Sequence, residues 1–353
     1  MNLNDTKRFK ELDSQDMIGA INELPDQLMQ AWELGQKLEL PAYEGVRQIV
    51  ISGMGGSAIG GDLLANYGEP MLDVPIYVHR DYDLPAWAKG SETLVICSSH
   101  SGNTEETLSA FEMAEKNGCQ ILAVTTNGEL AKRAKAAGAG LWVFEHKGQP
   151  RAAVGFSFGL LLAAVCRLGF LPDQGSEMAE AVAAMKAQQA HFLPEVPATS
   201  NPSKRMGGQF MGRWITVFGA GFLGVVARRW KTQLDEVSKS VATFEILPEA
   251  DHNTLQGVMA PDEEFGASMV IFLESDHLHR RNQQRTEFTR MGIMLQGQNT
   301  DTIKAAGEGR LAHMWTTLHY GDYASYYLAM AYGVDPNPVP MIAELKERLD
   351  QAK

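Results

Sequence analysis

The chain contains little cysteine and no long apolar run. Only three of its 353 residues are cysteine (Cys97, Cys119 and Cys166), and they are too few and too scattered for a framework of disulfides. No stretch of about 18 apolar residues is present that could span a bilayer, and the first residues lack the apolar core of a signal peptide. These absences predict a cytoplasmic protein with no membrane partner.

An excess of positive charge is also missing. The 31 basic and 43 acidic residues give a formal net charge of -12. This balance argues against a nucleic-acid partner, because phosphate backbones are bound through many lysines and arginines. It does not exclude a small anionic ligand, since a few local groups can oppose the overall charge. The length corresponds to about two domains.

The spacing of apolar residues indicates helices first and then a strand–helix alternation. Residues 6–40 carry apolar side chains at steps of three and four, which is typical of helices. From residue 45 short apolar strands alternate with helices, and the alternation restarts after residue 206. Such alternation predicts an α/β protein with doubly wound parallel sheets. The run 151–172 is apolar on several faces, which indicates a buried helix or, as a sharper alternative, a subunit interface.

A segment rich in proline and small polar residues separates the two alternating halves and predicts a linker. The predicted organisation is an N-terminal helical segment (1–44), a first domain (45–192), a linker (193–206), a second domain (207–335) and a C-terminal tail helix (336–353).

Each half opens with a strand, a glycine turn and a helix. The first turn, "GMGGSAIGGD" (53–62), follows the apolar run "VRQIVIS", and Gly219 marks the second. Both turns fit the glycine fingerprint of dinucleotide-binding folds, and Asp81 and Glu245 end the strands that follow them. A sharp turn that packs a helix against a sheet also favours glycine. The turns alone therefore leave a nicotinamide cofactor, a phosphorylated sugar and a purely structural role open.

Hydroxyl side chains crowd one strand end of the first half. The segment "CSSHSGNTEET" (97–107) places four of them where a strand ends and a helix begins near Asn103 or Thr104: Ser98, Ser99, Ser101 and Thr104. Ligands of parallel sheets bind at the carboxyl ends of strands, and a helix N-terminus offers free N–H groups. Ser57 faces the same place from the glycine turn. One such hydroxyl is explained by helix capping, but this number indicates phosphate binding.

The matching strand end of the second half, "FLESDHLHR", offers carboxylates and imidazoles instead. The two halves look like a degenerate duplication of one unit, and this difference predicts a phosphate site in the first half only. The "DHLH" within this segment is a weak metal pattern, because two histidines two residues apart on a loop are usually solvated.

Together, "GMGGSAIGGD" and "SSHSGNTEET" resemble the sugar isomerase (SIS) domain family, whose parallel sheet is flavodoxin-like. The segments "KTQLDEVSKSVATFEILPEADHN" and "DPNPVPMIAELKERL", with "KGQPR" between the halves, extend the resemblance to the bifunctional phosphoglucose/phosphomannose isomerases of the phosphoglucose isomerase superfamily. The resemblance spans residues 45–350. It implies two SIS domains, no cofactor, no metal, and interconversion of glucose 6-phosphate, or also mannose 6-phosphate, with fructose 6-phosphate through an enediolate.

The resemblance also implies a substrate site. The residues that match the family's phosphate-binding positions are Gly56, Ser57, Ser99, Ser101 and Thr104. Pro150 keeps the pattern expected beside the sugar, and Arg151 matches the arginine near the reacting carbons.

Three further matches concern proton transfer. Glu236 matches the catalytic base, and Lys346 matches a lysine on a tail helix that returns to the active site and assists ring opening. His252 matches the ring-opening histidine, which the neighbouring subunit supplies in this superfamily, so a homodimer is expected. Members active on both sugars often have threonine seven residues before the lysine, and Val339 at that position weighs against dual activity.

These residue types suit aldose–ketose isomerisation. A partly buried carboxylate can move a proton between neighbouring carbons. Arginine stays charged beside an enediolate, and histidine titrates near neutrality.

Plainer roles are also available for the same residues. Glu236 has Lys231 and Lys239 at helical spacing as ion-pair partners, Glu249 is a rival carboxylate, and His252 immediately precedes the good N-cap residue Asn253. Besides the isomerase, the sequence leaves open a non-catalytic sugar-phosphate sensor, an isomerase of another phosphosugar, and a nicotinamide enzyme, for which we expect no cofactor binding.

Overall fold

Two parallel β-sheets organise the chain in the computed structural model, which describes residues 2–352. Sheet A contains β1 (Gln48–Ser52), β2 (Ile76–His79), β3 (Thr93–Ser99), β4 (Gln120–Thr125) and β5 (Gly140–Val143). Sheet B contains β6 (Trp214–Ala220), β7 (Ala242–Leu247), β8 (Ser268–Glu274) and β9 (Asn299–Lys304). The strand orders are β2-β1-β3-β4-β5 and β7-β6-β8-β9.

The strand order of sheet A is the flavodoxin-like order, and sheet B repeats its first four positions. The predicted fold class, two doubly wound parallel sheets after an N-terminal helical segment, is therefore confirmed. In each sheet the order reverses at one point, between β1 and β3 in sheet A and between β6 and β8 in sheet B. Crevices for ligands open at the carboxyl side of such points.

Helices cover both sheets and occupy both ends of the chain. In chain order they are α1 (Thr6–Leu12), α2 (Met17–Asn22), α3 (Leu24–Lys37), α4 (Gly55–Gly68), α5 (Glu105–Lys116), α6 (Gly128–Ala137), α7 (Val154–Arg167), α8 (Gly175–Gln189), α9 (Pro202–Phe210), α10 (Phe222–Ser238), α11 (Thr254–Gly257), α12 (Arg280–Leu295), α13 (Arg310–Tyr332) and α14 (Pro340–Gln351). None of the helices between residues 2 and 352 is both long and apolar enough to cross a membrane.

The apolar run after residue 151 forms α7, which is buried within the single chain. Its residues from Val154 to Val165 are all buried, between α3 on one side and α4 on the other. Glycine permits the close approach of α3, because a Cβ atom added at Gly159 would lie 2.7 Å from the Cβ atom of Ala31. The buried-helix interpretation is correct, and α7 has no free face for a subunit interface.

The second half of the predicted linker is helical. Helix α9 begins at Pro202, and the Asn201 side chain accepts a hydrogen bond from the N–H of Lys204 at 2.9 Å. An asparagine N-cap followed by proline is a helix-start signal, which the proline and glycine content of the segment concealed.

Helix α13 joins the two halves. Nearly every residue of this 23-residue helix is buried, and it packs against α10 of the second half and against α8 and α9 before it. One apolar core therefore includes side chains that cover both sheets. The first half of the chain forms a lobe around sheet A, and the second half forms a lobe around sheet B. This core and the contacts of the site between the two lobes hold them together.

Candidate active site

The first glycine turn brings β1, β3 and the loop at residue 150 into contact. A Cβ atom added at Gly53 would lie 2.8 Å from the carbonyl oxygen of Ser98, and one added at Gly56 would lie 2.5 Å from that of Pro150. Side chains at these positions would separate the backbone segments. The glycines therefore let α4 begin directly beside the ends of β3 and the arginine loop.

The predicted hydroxyl cluster forms at the end of β3. Ser99 Oγ lies 2.9 Å from Thr104 Oγ1 and accepts a hydrogen bond from the N–H of Gly102 at 3.1 Å. Ser57 Oγ accepts from the N–H of His100 at 3.3 Å, which leaves the hydroxyl proton of Ser57 available. Ser57 and Ser99 are buried, whereas Ser101 is exposed at the mouth of the loop.

Thr104 occupies the N-cap position of α5, yet its hydroxyl makes no capping bond to that helix. The capping explanation of the hydroxyls is therefore wrong for Thr104. Helix α5 begins directly after the hydroxyl cluster, at Glu105, so a helix N-terminus lies next to these hydroxyls, which is an arrangement that binds anions.

Two neutral imidazoles support the segment 99–104 that carries the hydroxyl cluster, called the hydroxyl loop below. The rings of His100 and His146 are joined by a 2.9 Å hydrogen bond, and the carbonyl of His100 accepts from Thr126 Oγ1 at 2.7 Å. Burial, with a smaller effect of His146, lowers the pKa of His100 to about 4. The pair connects the hydroxyl loop to the segment that leads to Arg151.

Arg151 and Glu236 meet across the two lobes. Arg151 lies in the 3-10 turn Pro150–Ala152 after sheet A, and Glu236 lies in the last turns of α10. The Arg151 Nη1 atom is 3.5 Å from Glu236 Oε2, with the arginine side chain 4% and the glutamate side chain 29% exposed. Residues 85 positions apart thus place a guanidinium beside a half-buried carboxylate.

The rest of the Arg151 guanidinium is anchored to the chain between α13 and α14. Its Nη2 donates to the carbonyl oxygens of Pro336, at 3.0 Å, and Asn337. Its Nε atom is buried and has no hydrogen-bond partner among the described residues. Burial lowers the pKa of Arg151, and the Glu236 carboxylate acts in the opposite direction.

The local ion pairs considered for Glu236 do not form. Lys231 pairs with Asp235 at 2.5 Å, and the Lys239 ammonium donates to the main-chain carbonyl of Glu236 at 2.6 Å rather than to its carboxylate. Partial burial and the neighbouring charge of Arg151 lower the pKa of Lys239 to about 8. The carboxylate of Glu236 therefore faces Arg151 and the cavity.

Helix α14 borders two cavities. One, of about 730 Å³, is lined by Glu236, Lys239 and Val339, the last being the N-cap residue of α14. The other, of about 810 Å³, is lined by Ser101, Thr104 and Lys346 among others. The tail helix thus carries Lys346 to the hydroxyl loop of the first lobe, while its first residues stand beside Glu236.

His252 is not brought to this site within the single chain. It ends the 3-10 turn Glu249–His252, its side chain is exposed, and it makes no hydrogen bond to another described side chain. Asp251 fixes the turn to α12, because it accepts from Arg285 at 2.7 Å and from Thr289 at 2.6 Å. The next residue, Asn253, caps α11 as its sequence suggests.

The corresponding switch point of sheet B is filled by protein side chains. Leu278 packs against Gly221, within 3.4 Å of where a Cβ atom would stand, and Arg310 stacks on the Phe222 ring at 4.8 Å. His277 donates to the carbonyl of Glu308, and His279 caps α12. The "DHLH" histidines thus have partners in the protein.

Two residues near the site were not singled out from the sequence. Arg229 lies seven positions before Glu236 on α10, and its Nη2 donates to the main-chain carbonyl of Arg151 at 2.8 Å. Asn337 supplies a carbonyl to Arg151 and is itself held by Asp13 at 2.7 Å. The only signal for Arg229 is a charged residue two helical turns before the glutamate, on the same face.

Comparison with known proteins identifies the family of the chain. Residues 199–349 match the family model described as the bacterial phospho-glucose isomerase C-terminal SIS domain. The chain is 37% identical over 339 residues to a bifunctional phosphoglucose/phosphomannose isomerase of Caldicellulosiruptor bescii, covering 96% of this chain and 100% of the relative. A protein of the same name from Aquifex aeolicus is 34% identical, covering 88% and 92%.

Solved structures share the fold at low identity. The C-terminal domain of glucosamine-fructose-6-phosphate aminotransferase from Francisella tularensis has a TM-score of 0.72 at 16% identity and covers 91% of this chain and 98% of its own. Tagatose-6-phosphate ketose/aldose isomerase from Escherichia coli has a TM-score of 0.70 at 17% identity, covering 91% and 94%.

Proposed function

Because the chain belongs to the bifunctional phosphoglucose/phosphomannose isomerase family, we propose that it interconverts glucose 6-phosphate and mannose 6-phosphate with fructose 6-phosphate. The observation that carries the proposal is the approach of Arg151 to Glu236, 3.5 Å apart, beside the hydroxyl loop of the first lobe. It supports a reaction that needs an anion site and a proton-transferring carboxylate together.

The phosphate group is bound, in this proposal, by the first lobe. Gly56, Ser57, Ser99, Ser101 and Thr104 offer main-chain and hydroxyl donors, and the N-terminus of α5 adds the positive end of its dipole. The loop is held before any ligand arrives by the bond of His100 to Ser57 and by the Ser99–Thr104 pair. Such preorganisation lowers the cost of fixing a flexible ligand.

Glu236 moves the proton between the first two carbons of the open-chain sugar. The charge that develops on the enediolate oxygens is stabilised by the guanidinium of Arg151, which lies beside Glu236. Pro150 forms the wall that holds the sugar beside this arginine. Lys346, from α14, assists ring opening, and His252 of a second subunit transfers the ring proton.

A coupled assay with each hexose phosphate tests the proposal, and Glu236→Gln tests the base. We expect kcat of this variant to fall on the order of thousands-fold with little change in KM, because the phosphate grip is intact. Glu249→Gln is the matched control, since that carboxylate bonds only Asn253 among the described side chains, and it should keep full activity.

Full activity of Glu236→Gln would exclude the assigned base. Tight binding of a hexose phosphate by the unchanged protein without any turnover would identify a sensor instead.

We also propose that the protein is a homodimer, which the position of His252 supports. The exposed turn that carries it is fastened to α12, and that helix exposes Phe288, Met291 and Leu295 at steps of three and four residues. An apolar stripe of this kind on a protein surface suits a subunit contact. We assign this stripe to the contact that delivers His252 into the site of the partner.

A further inference from the structure

A buried ion pair lies behind the arginine of the site. Arg229 of α10 and Asp322 of α13 are both buried, and they form two hydrogen bonds, Nε to Oδ1 at 3.3 Å and Nη2 to Oδ2 at 3.1 Å. Two charges removed from water cost more to bury than an apolar pair of the same size. Stability alone therefore gives no reason for them to lie there.

The guanidinium of Arg229 also holds the main chain of the loop that carries Arg151. Arg229 Nη2 donates to the carbonyl oxygen of Arg151 at 2.8 Å, across 78 residues of sequence. Asp322 accepts from the opposite side and so fixes the plane of the Arg229 fork. The main chain at residue 151 is thereby tied to two helices of the second lobe.

Two side chains of helix α10 contact Arg151, one at its main chain and the other at its guanidinium. Arg229 and Glu236 are seven residues apart, which is two helical turns, so they project from the same face. Arg229 holds the carbonyl of Arg151, while Glu236 approaches its guanidinium. One rigid element thus sets the distance between the base and the arginine that stabilises the enediolate.

We propose that Arg229, held by Asp322, is a positioning residue that fixes the main chain of Arg151 beside Glu236. The proposal rests on the isomerase function proposed above. Arg229 contributes to the chemical step rather than to phosphate binding, because the hydroxyl loop makes no hydrogen bond to Arg229 among the described residues. A shift of about 1 Å at reacting groups is enough to lower a rate by about a hundredfold.

Steady-state kinetics of Arg229→Met, Arg229→Lys and Asp322→Asn test this role. We expect Arg229→Met to lower kcat by about tenfold to a hundredfold and to change KM by less than about threefold. Arg229→Lys should recover part of the loss, because an ammonium keeps the charge opposite Asp322 but cannot bond in two directions as a planar fork does. Asp322→Asn, which preserves the shape of the side chain, should lower kcat in the same way.

Lys204→Met is the matched control for the loss of a buried cation. Lys204 is fully buried in α9 and donates to the carbonyls of Pro194 and Val196 at 2.7 and 2.9 Å, away from the site. This variant should lower the melting temperature and leave kcat of the folded protein unchanged. Arg229→Met with wild-type kcat, or with a loss that Lys204→Met reproduces at equal stability, would overturn the proposal.

Failure of the proposed function is visible separately, as an unchanged protein with no isomerase activity. In that case the crystal structure of Arg229→Met decides the positioning role. Displacement of the Arg151 backbone from Glu236 would support it, and an unmoved Arg151 would overturn it. If Arg229→Met does not fold, Asp322→Asn is judged by the same kinetic and crystallographic criteria.

Discussion

At the scale of single residues, Val339 is the position at which the choice between the two sugars can be tested. It is the N-cap of α14 and lines the cavity that contains Glu236. Glucose and mannose 6-phosphates differ only in the configuration of one hydroxyl-bearing carbon, the one next to the reacting aldehyde. A side chain that adds or removes one hydrogen bond at this wall therefore discriminates between them.

We expect Val339→Thr to raise the ratio of kcat/KM for mannose 6-phosphate over glucose 6-phosphate by about threefold to tenfold. Threonine has nearly the volume of valine and adds a hydroxyl toward the cavity. Parallel assays on both sugars measure the ratio, and Val143→Thr, on the edge strand β5, is the control. An unchanged ratio would exclude Val339 as a determinant of specificity.

The sequence indicates the residues proposed for this site better than it indicates the residues that hold them in place. The hydroxyl cluster is readable because Ser99, Ser101 and Thr104 lie within six residues, and strand ends of a parallel sheet share one edge. The support of Arg151 is not readable, since it comes from Arg229 and from the carbonyls after residue 335. Contacts over such separations depend on how the lobes pack, which no local pattern records.

At the scale of secondary-structure elements, the pair α3 and α7 shows how small residues set a helix distance. Gly159 faces α3 so closely that a Cβ atom would lie 3.2 Å from both the carbonyl of Leu28 and the N–H nitrogen of Trp32. The two helices bury the apolar run that follows the arginine loop, so their separation also positions that loop.

Gly159→Val should lower the free energy of unfolding by about 2–3 kcal/mol, because the larger side chain wedges the helices apart. Gly292→Ala is the control: its nearest neighbour, Leu255, stands at an ordinary 3.6 Å, and alanine should raise the stability of α12 by up to about 1 kcal/mol. Urea denaturation measures both. Equal effects of the two substitutions would contradict the packing argument.

Elements with strong periodicity were predictable, and weakly patterned ones were not. The strands of both sheets and the helices after the glycine turns follow from apolar runs and turn residues. Helix α8 carries alanine on its exposed side as well, which blurs the apolar face that it buries (Met178, Ala181, Val182 and Met185), and α9 lies in a segment whose prolines suggest a linker. In both cases packing against α13 supplies the stability that local patterning does not.

At the scale of the whole molecule, an active site shared between subunits can be tested by mixing two inactive variants. Glu236→Gln and His252→Gln each remove one member of every site in a homodimer. After co-refolding in equal amounts, half of the dimers contain one chain of each kind, and each of these has one intact site. About a quarter of wild-type activity should therefore return, as measured by the coupled assay. No recovery above the sum of the separate variants would place both residues in one chain.

The buried helix α13 makes the stability of the whole chain sensitive to acid. His319 is completely buried and donates to the carbonyl of Ile21, and burial lowers its pKa from 6.5 to about 4. The unfolded chain binds a proton between these two values and the folded chain does not, so stability falls as pH drops from 6.5 toward 4. Above pH 6.5 this group has no effect.

Urea denaturation at pH 7.5 and pH 5 should show that the unchanged protein loses about 2 kcal/mol more than His319→Gln between the two conditions. Glutamine can donate to the same carbonyl and does not titrate. An equal loss in both proteins would assign the acid sensitivity to other groups.

The contact of Leu278 with Gly221 has a consequence for which substitutions the two glycine turns tolerate. The first four positions of sheet A and the whole of sheet B share one strand order, but their glycine turns have different requirements. The first must keep hydroxyl and N–H donors around an open space, and the second must keep that space closed with a side chain of suitable volume. The two halves therefore differ at the switch point of their sheets: the first presents hydroxyl groups there, and the second is closed by a leucine side chain.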